Sequence, residues 1–498
     1  MRRLSVLLAL AAMALAARGQ TNSLLEVREL SLQDCIQLCL QSNLSLQIDR
    51  YNPQLALFTL QGAYGGYDPS LTASGQHDHS ESGAQLLGGG FTIPAATSDD
   101  NSFSSSLGIL TPLGSSFSLR GNAVDTYGSS EGAPFENSAG SASFTINQPL
   151  LKNFWIDSTR LGIRVARNRL KYSEQVLRLQ IMQTVTTLEN AYYDLLYAKA
   201  NVVVQEKALE LAERLALENK KKLEIGTMAP LDLQSAEAQA ATTRAALIAA
   251  RTQLAGQERT VKQMITDGSL GWSKFQLVPT GKLTAAKQSF NVQDSWSKGL
   301  TLRPDYLEAK LDIEKQGIQL KYDKNQLFPE LDVFGTYGYS GNGTVYSDVF
   351  YQIQRTEQRF YTYGAKITVP LANITARNAF KGDKATLQQL VLTLVQLEQT
   401  ITVNIDNDIA NARSSYDQVL ATRAARQYEE AALDAEQKKL DNGKSTTYTV
   451  LQVQRDLTNA RGSEIQALDT YDKSLAQLSL DEGTTLERLD IDLDVQAK

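Results

Sequence analysis

Four groups of side chains in this sequence have types and spacing that chemistry could use. His77 and His79 stand two apart, so on an extended strand their imidazoles share a face and could clip a metal ion. No third ligand stands nearby in sequence, and a surface strand or loop is the simpler account. Cys35 and Cys39 are one helical turn apart among Leu32, Ile36 and Leu40. They read as small apolar core residues, although an exported protein could also pair them. Gly128-Ser129-Ser130-Glu131-Gly132 fits the G-x-S-x-G pattern. A nucleophile elbow, however, needs a strand–turn–helix setting and a histidine base, and this stretch sits in a polar loop between strands. Lys220-Lys221-Lys222 reads as a solvated helix face, with contact to a partner protein as the sharper alternative. With only two histidines and two cysteines, the chain has almost nothing for His-based catalysis or Cys-rich metal binding. No enzyme, cofactor site or metal site is expected. A net charge of −6 also leaves no broad basic footprint for nucleic acid.

The elements that carry these residues begin with an address. Arg2 and Arg3 precede an apolar run, Leu4 to Ala17, followed by small residues, with cleavage expected after Ala16 or Gly19. This is a secretory signal peptide, too short and wrongly flanked to span a bilayer. After it there is no uninterrupted run of about twenty apolar residues, so an exported chain of this kind enters an outer membrane only as a closed β-barrel.

The rest reads as one plan used twice. Leu32-Gln33-Asp34 and Val292-Gln293-Asp294 are 260 residues apart (292 − 32), as are Pro69 and Pro329 (329 − 69). Pro149 and Pro370 are 221 apart (370 − 149), and Gly226 and Gly443 are 217 apart (443 − 226). The offset falls by 39 (260 − 221) between the first and second prolines, which assigns an insertion of that size to the extended region of the first copy. The expected organisation is a signal peptide over 1–19, a first repeat over 20–275 and a second repeat over 276–490, with a tail over 491–498. The first repeat places strands at about 67–148 and a helical hairpin at about 150–268, turning at 226; the second places strands at about 330–370 and a hairpin at about 372–483, turning at 443.

Between the prolines, alternation replaces helical spacing. Phe103, Ser105, Leu107 and Ile109 share one parity, as do Phe117, Leu119, Gly121 and Ala123; Ala142, Phe144 and Ile146 follow. In the second copy Leu331, Val333, Tyr337 and Tyr339 alternate out, and Tyr361, Tyr363, Ala365 and Ile367 return. Period-two patterning of modest hydrophobicity is the signature of outer-membrane strands, with a soluble antiparallel sheet as the alternative. Tyr337, Tyr339, Tyr346, Phe350, Tyr351, Phe360, Tyr361 and Tyr363 crowd one short region, as an interfacial aromatic belt would. Thr111-Pro112-Leu113-Gly114 reads as a tight turn, which gives the first copy four candidate strands against two in the second. Whether the added hairpin joins the membrane wall or lies outside it stays open at this level.

After the second proline of each copy the spacing becomes helical. Leu177, Ile181, Val185, Leu188, Tyr192 and Leu195 form one stripe; Leu387, Val391, Leu394, Leu397 and Ile401 form another. From Thr159 to Glu224 there is no proline, so the helix should run for roughly 100 Å. Gly226 and Gly443 then reverse the chain into return helices, the first dense in alanine from Ala236 to Ala250.

Together these features resemble the TolC-type outer-membrane efflux proteins over about residues 30–490. The most specific pieces are Leu302-Arg303-Pro304-Asp305, the run Asn325-Gln326-Leu327-Phe328-Pro329-Glu330-Leu331 into a strand, and the paired tips at Gly226 and Gly443. The resemblance implies an α + β membrane protein that assembles as a homotrimer. Its long helical hairpins would form a periplasmic α-barrel and its antiparallel strands one shared outer-membrane β-barrel, usually of twelve strands, surrounded by outer-membrane lipid. The implied work is passive conduction of drugs, metals or proteins, in a tripartite efflux or type I secretion system, from an inner-membrane pump and a periplasmic adaptor. A periplasm-spanning anchor or adhesin without transport is the alternative. The implied location is the outer membrane, extending into the periplasm.

In the family the hairpin tips form the periplasmic entrance and meet the adaptor. The corresponding residues are Gly226, Thr227 and Asp232 in the first hairpin and Gly443, Lys444, Ser445, Thr449 and Gln452 in the second. Asp232 matches a family aspartate of the closed-state network. Family members place aspartates six and nine residues past the second tip glycine; here those positions hold Thr449 and Gln452, so the acidic ring does not carry over. The family arginine two past that glycine is Ser445, and the neighbouring Lys444 is expected to reach Asp232 across adjacent hairpins.

Overall fold

The computed structural model describes residues 26–87, 89, 91–130, 132–268 and 275–491. The signal segment, Glu131 of the serine motif and residues 492–498 of the tail lie outside the described residues. Two compact units share the chain. One comprises Met1–Asn52, Gln175–Leu307 and Gln396–Gln496; the other, Pro53–Glu174 and Glu308–Val395.

The second unit is built on a sheet. Strands β2 (Ser70–Ser82), β5 (Ala96–Leu110), β6 (Ser116–Ser130), β7 (Ala133–Pro149), β9 (Glu330–Gly343) and β10 (Gln358–Thr368) form one six-stranded sheet in the order β10-β9-β7-β6-β5-β2. Every neighbouring pair is antiparallel. The short strands β3 (Gln85–Leu87) and β4 (Phe91–Ile93) pair with each other in the β2–β5 connection. The hairpin left open by the sequence is therefore hydrogen-bonded into the same sheet as the others. Its turn closes through Gly114 N–H to the Thr111 carbonyl at 2.8 Å. Gly114 has φ +83°, and a side chain there would meet the Arg160 guanidinium at 2.6 Å, so the turn needs glycine on both counts.

The register places Leu71, Leu107, Leu119, Phe144, Tyr337 and Tyr361 in one row across all six strands. Along that row the face is apolar yet open, with Leu71, Leu119 and Tyr361 each more than half exposed; farther along the strands the same face carries His77, His79, Asp99, Asn101 and Asp125. The opposite face carries Thr72, Ser106, Ser118 or Arg120, Ser143, Thr336 and Thr362. Tyr337, Tyr339, Tyr361 and Tyr363 of the aromatic cluster all lie on the apolar face. Phe360 does not: its parity is opposite, and its ring lies over Gly338 on the polar face. Tyr346, Phe350 and Tyr351 belong to no strand but to a helix, α8 (Tyr346–Gln354), between β9 and β10. Val349 of α8 is fully buried against Gly140 and Gly341, and Tyr346 meets Phe103 edge-on at 6.0 Å, so α8 docks on the apolar face.

The other unit is helical. A parallel pair, β1 (Glu26–Leu30) with β8 (Phe275–Pro279), flanks α1 (Leu32–Ser42) and α2 (Leu44–Asp49). Ser31 opens α1 with a capping box: the Asp34 N–H donates to its hydroxyl at 3.2 Å, and its own N–H donates to the Asp34 carboxylate at 2.9 Å. Cys35 and Cys39 are free thiols in the core, and burial pushes the Cys35 thiol up to about 12. They pack against Ile181, Val185, Leu188 and Leu195 of α4 (Ser158–Glu224), the expected helical stripe. Sixty-seven residues make α4 about 100 Å long. It is followed by α5 (Pro230–Ile265). The second copy supplies α6 (Val292–Leu302), α10 (Thr447–Asp481) and the short α11 (Thr485–Arg488) to this unit; α9 (Ile374–Asp441), like α4, has residues in both units, while α7 (Pro304–Gln326) and, in the first copy, α3 (Tyr51–Ala63) belong mainly to the sheet-bearing unit. Among the described residues no helix is long and apolar enough to cross a membrane.

In α9 the expected stripe is only partly covered: Ile401 is buried, whereas Val391 is 44 % exposed. Its neighbours Leu392 and Val395, and Leu55 and Phe58 of α3, are also exposed. Apolar residues at helical spacing left open in a single chain are surface that a further copy can cover.

Candidate entrance and conduit wall

The two hairpin tips are built by the same backbone device. At the end of α4 the Thr227 N–H donates to the Lys222 carbonyl and the Gly226 N–H to the Leu223 carbonyl, both at 2.9 Å. At the end of α9 the Lys444 N–H donates to Lys439 at 2.8 Å and the Gly443 N–H to Leu440 at 3.0 Å. Both pairs are Schellman closures, and Gly226 and Gly443 sit at φ +77° and +67°, where a Cβ is disfavoured. Pro230 then starts α5 at its first position, and the Thr446 hydroxyl accepts from the Thr449 N–H at 3.3 Å to start α10.

The remaining tip side chains have distinct surroundings. Ser445 donates to the Glu436 carboxylate, which also pairs with Lys439 at 2.9 Å; the two hold that carboxyl below its ordinary value. The Thr449 hydroxyl shares a hydrogen bond of 3.0 Å with Thr446, so it is occupied by its own helix start. Gln452 is exposed and Asp232 half-buried. Lys444 and Asp232 are on different hairpins, and no ion pair joins them among the described residues of the single chain.

Sequence reasoning missed the contact that joins the tips. Asn219 is fully buried on α4, and its amide donates to the Thr447 hydroxyl at 3.3 Å and to the Asp232 carbonyl at 3.4 Å. Beside it Leu215, Leu433, Val450, Leu451 and Leu457 form an apolar cluster drawn from both hairpins. Ile225, Leu231 and Tyr448 remain exposed at the tips.

Away from the tips the Leu302-Arg303-Pro304-Asp305 segment acts as a polar tie. The Arg303 guanidinium donates to the Asp305 carboxylate at 3.0 and 2.7 Å and to the Asp481 carboxylate at 2.6 Å. Nearby, burial pushes the Asp408 carboxyl up to about 7, and the neighbouring Asp481 adds to the shift. Arg488 donates to both oxygens of the fully buried Glu189, at 2.7 and 2.6 Å. Burial raises the Glu189 carboxyl while Arg488 opposes it. The Arg303 and Glu189 charges are thus paired, as burial requires, whereas Asp408 Oδ2 is buried without a hydrogen-bond partner.

Two of the groups with catalytic spacing lie on strands of the sheet. Ser129 and Ser130 end β6, which turns back into strand β7 rather than into a helix. His77 and His79 share a face of β2, where His79 Nδ1 lies 2.6 Å from Asp99; both are about half exposed. No group of three His, Cys, Asp or Glu among the described residues is placed to hold a metal ion.

This arrangement has counterparts among known proteins. The outer membrane efflux protein family model matches residues 36–266 and 297–481. The outer membrane protein TolC of Vibrio cholerae is 22% identical over 382 residues, which is 74% of this chain and 82% of that protein. The outer membrane efflux protein BepC of Brucella suis is 22% identical over 329 residues, 66% of this chain and 68% of its own. Among solved structures, the outer membrane protein VceC of Vibrio cholerae is similar with a TM-score of 0.66 at 16% identity, covering 91% of this chain and 96% of that one. The open-state MtrE outer membrane channel of Neisseria gonorrhoeae gives a TM-score of 0.63 at 16% identity over 94% and 91% of the two chains. The chain belongs to the outer membrane efflux protein family, the non-enzymatic TolC-type channels of the outer membrane.

Proposed function

We propose that this efflux channel works as a homotrimer in which three copies complete one duct. In this reading the sheets close a shared barrel in outer-membrane lipid and the helical hairpins line a periplasmic α-barrel. The tips receive a periplasmic adaptor, which links the duct to an inner-membrane pump. The observation that carries it is the sheet itself, six strands with an open apolar band across one face and two edges unpaired among the described residues. An apolar face of that kind suits lipid. An open edge in lipid leaves each backbone group unsatisfied at a cost of several kcal/mol, so the sheet must be closed by further copies. The open stripes on α3 and α9 support the same demand. The number three rests on the family.

The boundaries of this plan are also proposals: export through a signal peptide at 1–19, repeats at 20–275 and 276–490, and a tail at 491–498. At the entrance we assign Gly226 and Gly443 to the turns, and Thr227, Ser445, Thr449 and Gln452 to the adaptor-facing or pore-facing rim. Asp232 and Lys444 are assigned to an ion pair between hairpins of neighbouring copies, which would replace the acidic ring that Thr449 and Gln452 cannot form. Exposed Ile225, Leu231 and Tyr448 give an adaptor apolar purchase.

The test is to extract the protein in mild detergent, measure its mass by native mass spectrometry and insert it into planar bilayers. A trimer that conducts, with open probability raised several-fold by Lys444→Ala, is expected. Stable trimers that never conduct, with or without that substitution, would sink the channel reading for this assembly and leave an anchoring role.

A further inference from the structure

We infer that neighbouring copies join β10 of one to β2 of the next, and that the barrel so closed has eighteen strands, three sheets of six. The inference rests on the trimeric channel proposed above and concerns its wall. It departs from the twelve strands that the family resemblance implies.

Three observations carry it. First, β5 and β6 are not an appendage. Fourteen residue pairs, from Thr97↔Ser129 to Leu110↔Ser116, hold them to each other, and both outer flanks are paired in turn, β5 to β2 and β6 to β7. Second, they obey the alternation of the whole sheet. Leu107 and Leu119 lie in the apolar row between Leu71 and Phe144, while Ser106, Ser118 and Arg120 turn to the polar face. A hairpin folded off the wall would have no reason to continue that row. Its apolar side would face water, whereas in the wall it faces lipid and its serines line the lumen. Third, the edges fit each other. Six alternating strands leave β2 and β10 running in opposite directions, with 13 and 11 residues of unpaired backbone edge. Antiparallel pairing therefore continues unbroken across each junction, as closure requires.

Barrel diameter grows roughly linearly with strand number, so eighteen strands give a passage about one and a half times as wide as twelve. The outer-membrane segment is then not the narrow point of this duct. Selection by size falls to the entrance.

The experiment is cryo-electron microscopy of the full-length protein in lipid nanodiscs, paired with single-cysteine labelling. The map should resolve an eighteen-stranded ring. Leu107→Cys and Leu119→Cys should react only with a bilayer-soluble maleimide, and Ser106→Cys and Ser118→Cys with a membrane-impermeant one that enters the lumen; Cys35 and Cys39 are buried and stay silent. A twelve-stranded ring with both cysteine pairs open to aqueous reagent overturns the inference and leaves the channel standing. Particles that are not trimers overturn the channel reading itself, whatever the strand count.

Discussion

Asn219 and Thr447, 228 residues apart in sequence, meet in the interior where the two helical hairpins turn: the Asn219 amide donates to the Thr447 hydroxyl at 3.3 Å. Both side chains are buried, at 0 and 3 % exposure, and the Asn219 carbonyl oxygen has no partner of its own. The same amide reaches the Asp232 carbonyl, so one residue ties the return helix of its own hairpin to the start of the other hairpin's return helix. Replacing Asn219 with Ala leaves the hydroxyl and the carbonyl without this donor. The expected cost is about 1–2 kcal/mol. Thr447→Val keeps the shape and removes the same bond, so the double variant should lose less than the sum of the two. Thermal unfolding of the detergent-extracted protein checks the cycle, and strictly additive losses would mean the contact carries no coupling.

The sheet separates two adjacent positions cleanly. Leu119 is on the apolar face at 54 % exposure, and Ser118 is on the polar face beside it. Leu119→Arg should destabilise the assembled barrel by about 2–4 kcal/mol, as cations do on the lipid side near the bilayer midplane. Ser118→Arg, one residue away, should cost close to nothing because Arg120 already stands on that face. Urea-induced unfolding from lipid vesicles reads both. Equal costs would mean that β6 is not part of a membrane wall.

Much of this was legible in the sequence because the signals were periodic. Alternation at Phe103, Leu107 and Leu119 and the stripe from Leu177 to Leu195 each depend on local spacing, and a face that must be covered imposes such spacing wherever it occurs. Gly226 and Gly443 were legible because a left-handed helix end favours one residue type. Other features needed partners in space. Asn219 looks like any polar residue on a long helix. The strand count could not be fixed until the register joined β2 to β5 and β6 to β7, since a hairpin reads the same inside or outside a wall. Phe360 was grouped with the tyrosines by composition; its even number among odd neighbours was the missed sign that it faces the other way. In α8, Tyr346 and Phe350 are one helical turn apart, a spacing that aromatic content had obscured.

The helical unit should also lose stability as pH rises through neutrality. Burial pushes the Asp472 carboxyl up to about 7 from 3.8, with the charge of Asp469 adding to the shift. Tyr193 and Tyr471 lie within its field, and Lys473, which neutralises Asp469 at 2.8 Å, follows it in sequence. Between these two values the folded protein keeps a proton that the unfolded chain has released. The associated stability is therefore complete below about pH 4 and disappears as pH climbs through about 7. A shift of this size has a ceiling of roughly 4 kcal/mol; because the side chain is only half-buried, about 2 kcal/mol is the expected loss. Asp408, raised to about 7 by its own burial, acts in the same direction. Asp472→Asn keeps the size and an acceptor oxygen but cannot ionise. It should be more stable than the natural chain near pH 8, nearly equal to it at about pH 4, and have a shallower fall between. Helical circular dichroism followed through thermal unfolding at several pH values makes the comparison; two curves that stay parallel from about pH 5 to about pH 8 would show that Asp472 is ionised throughout.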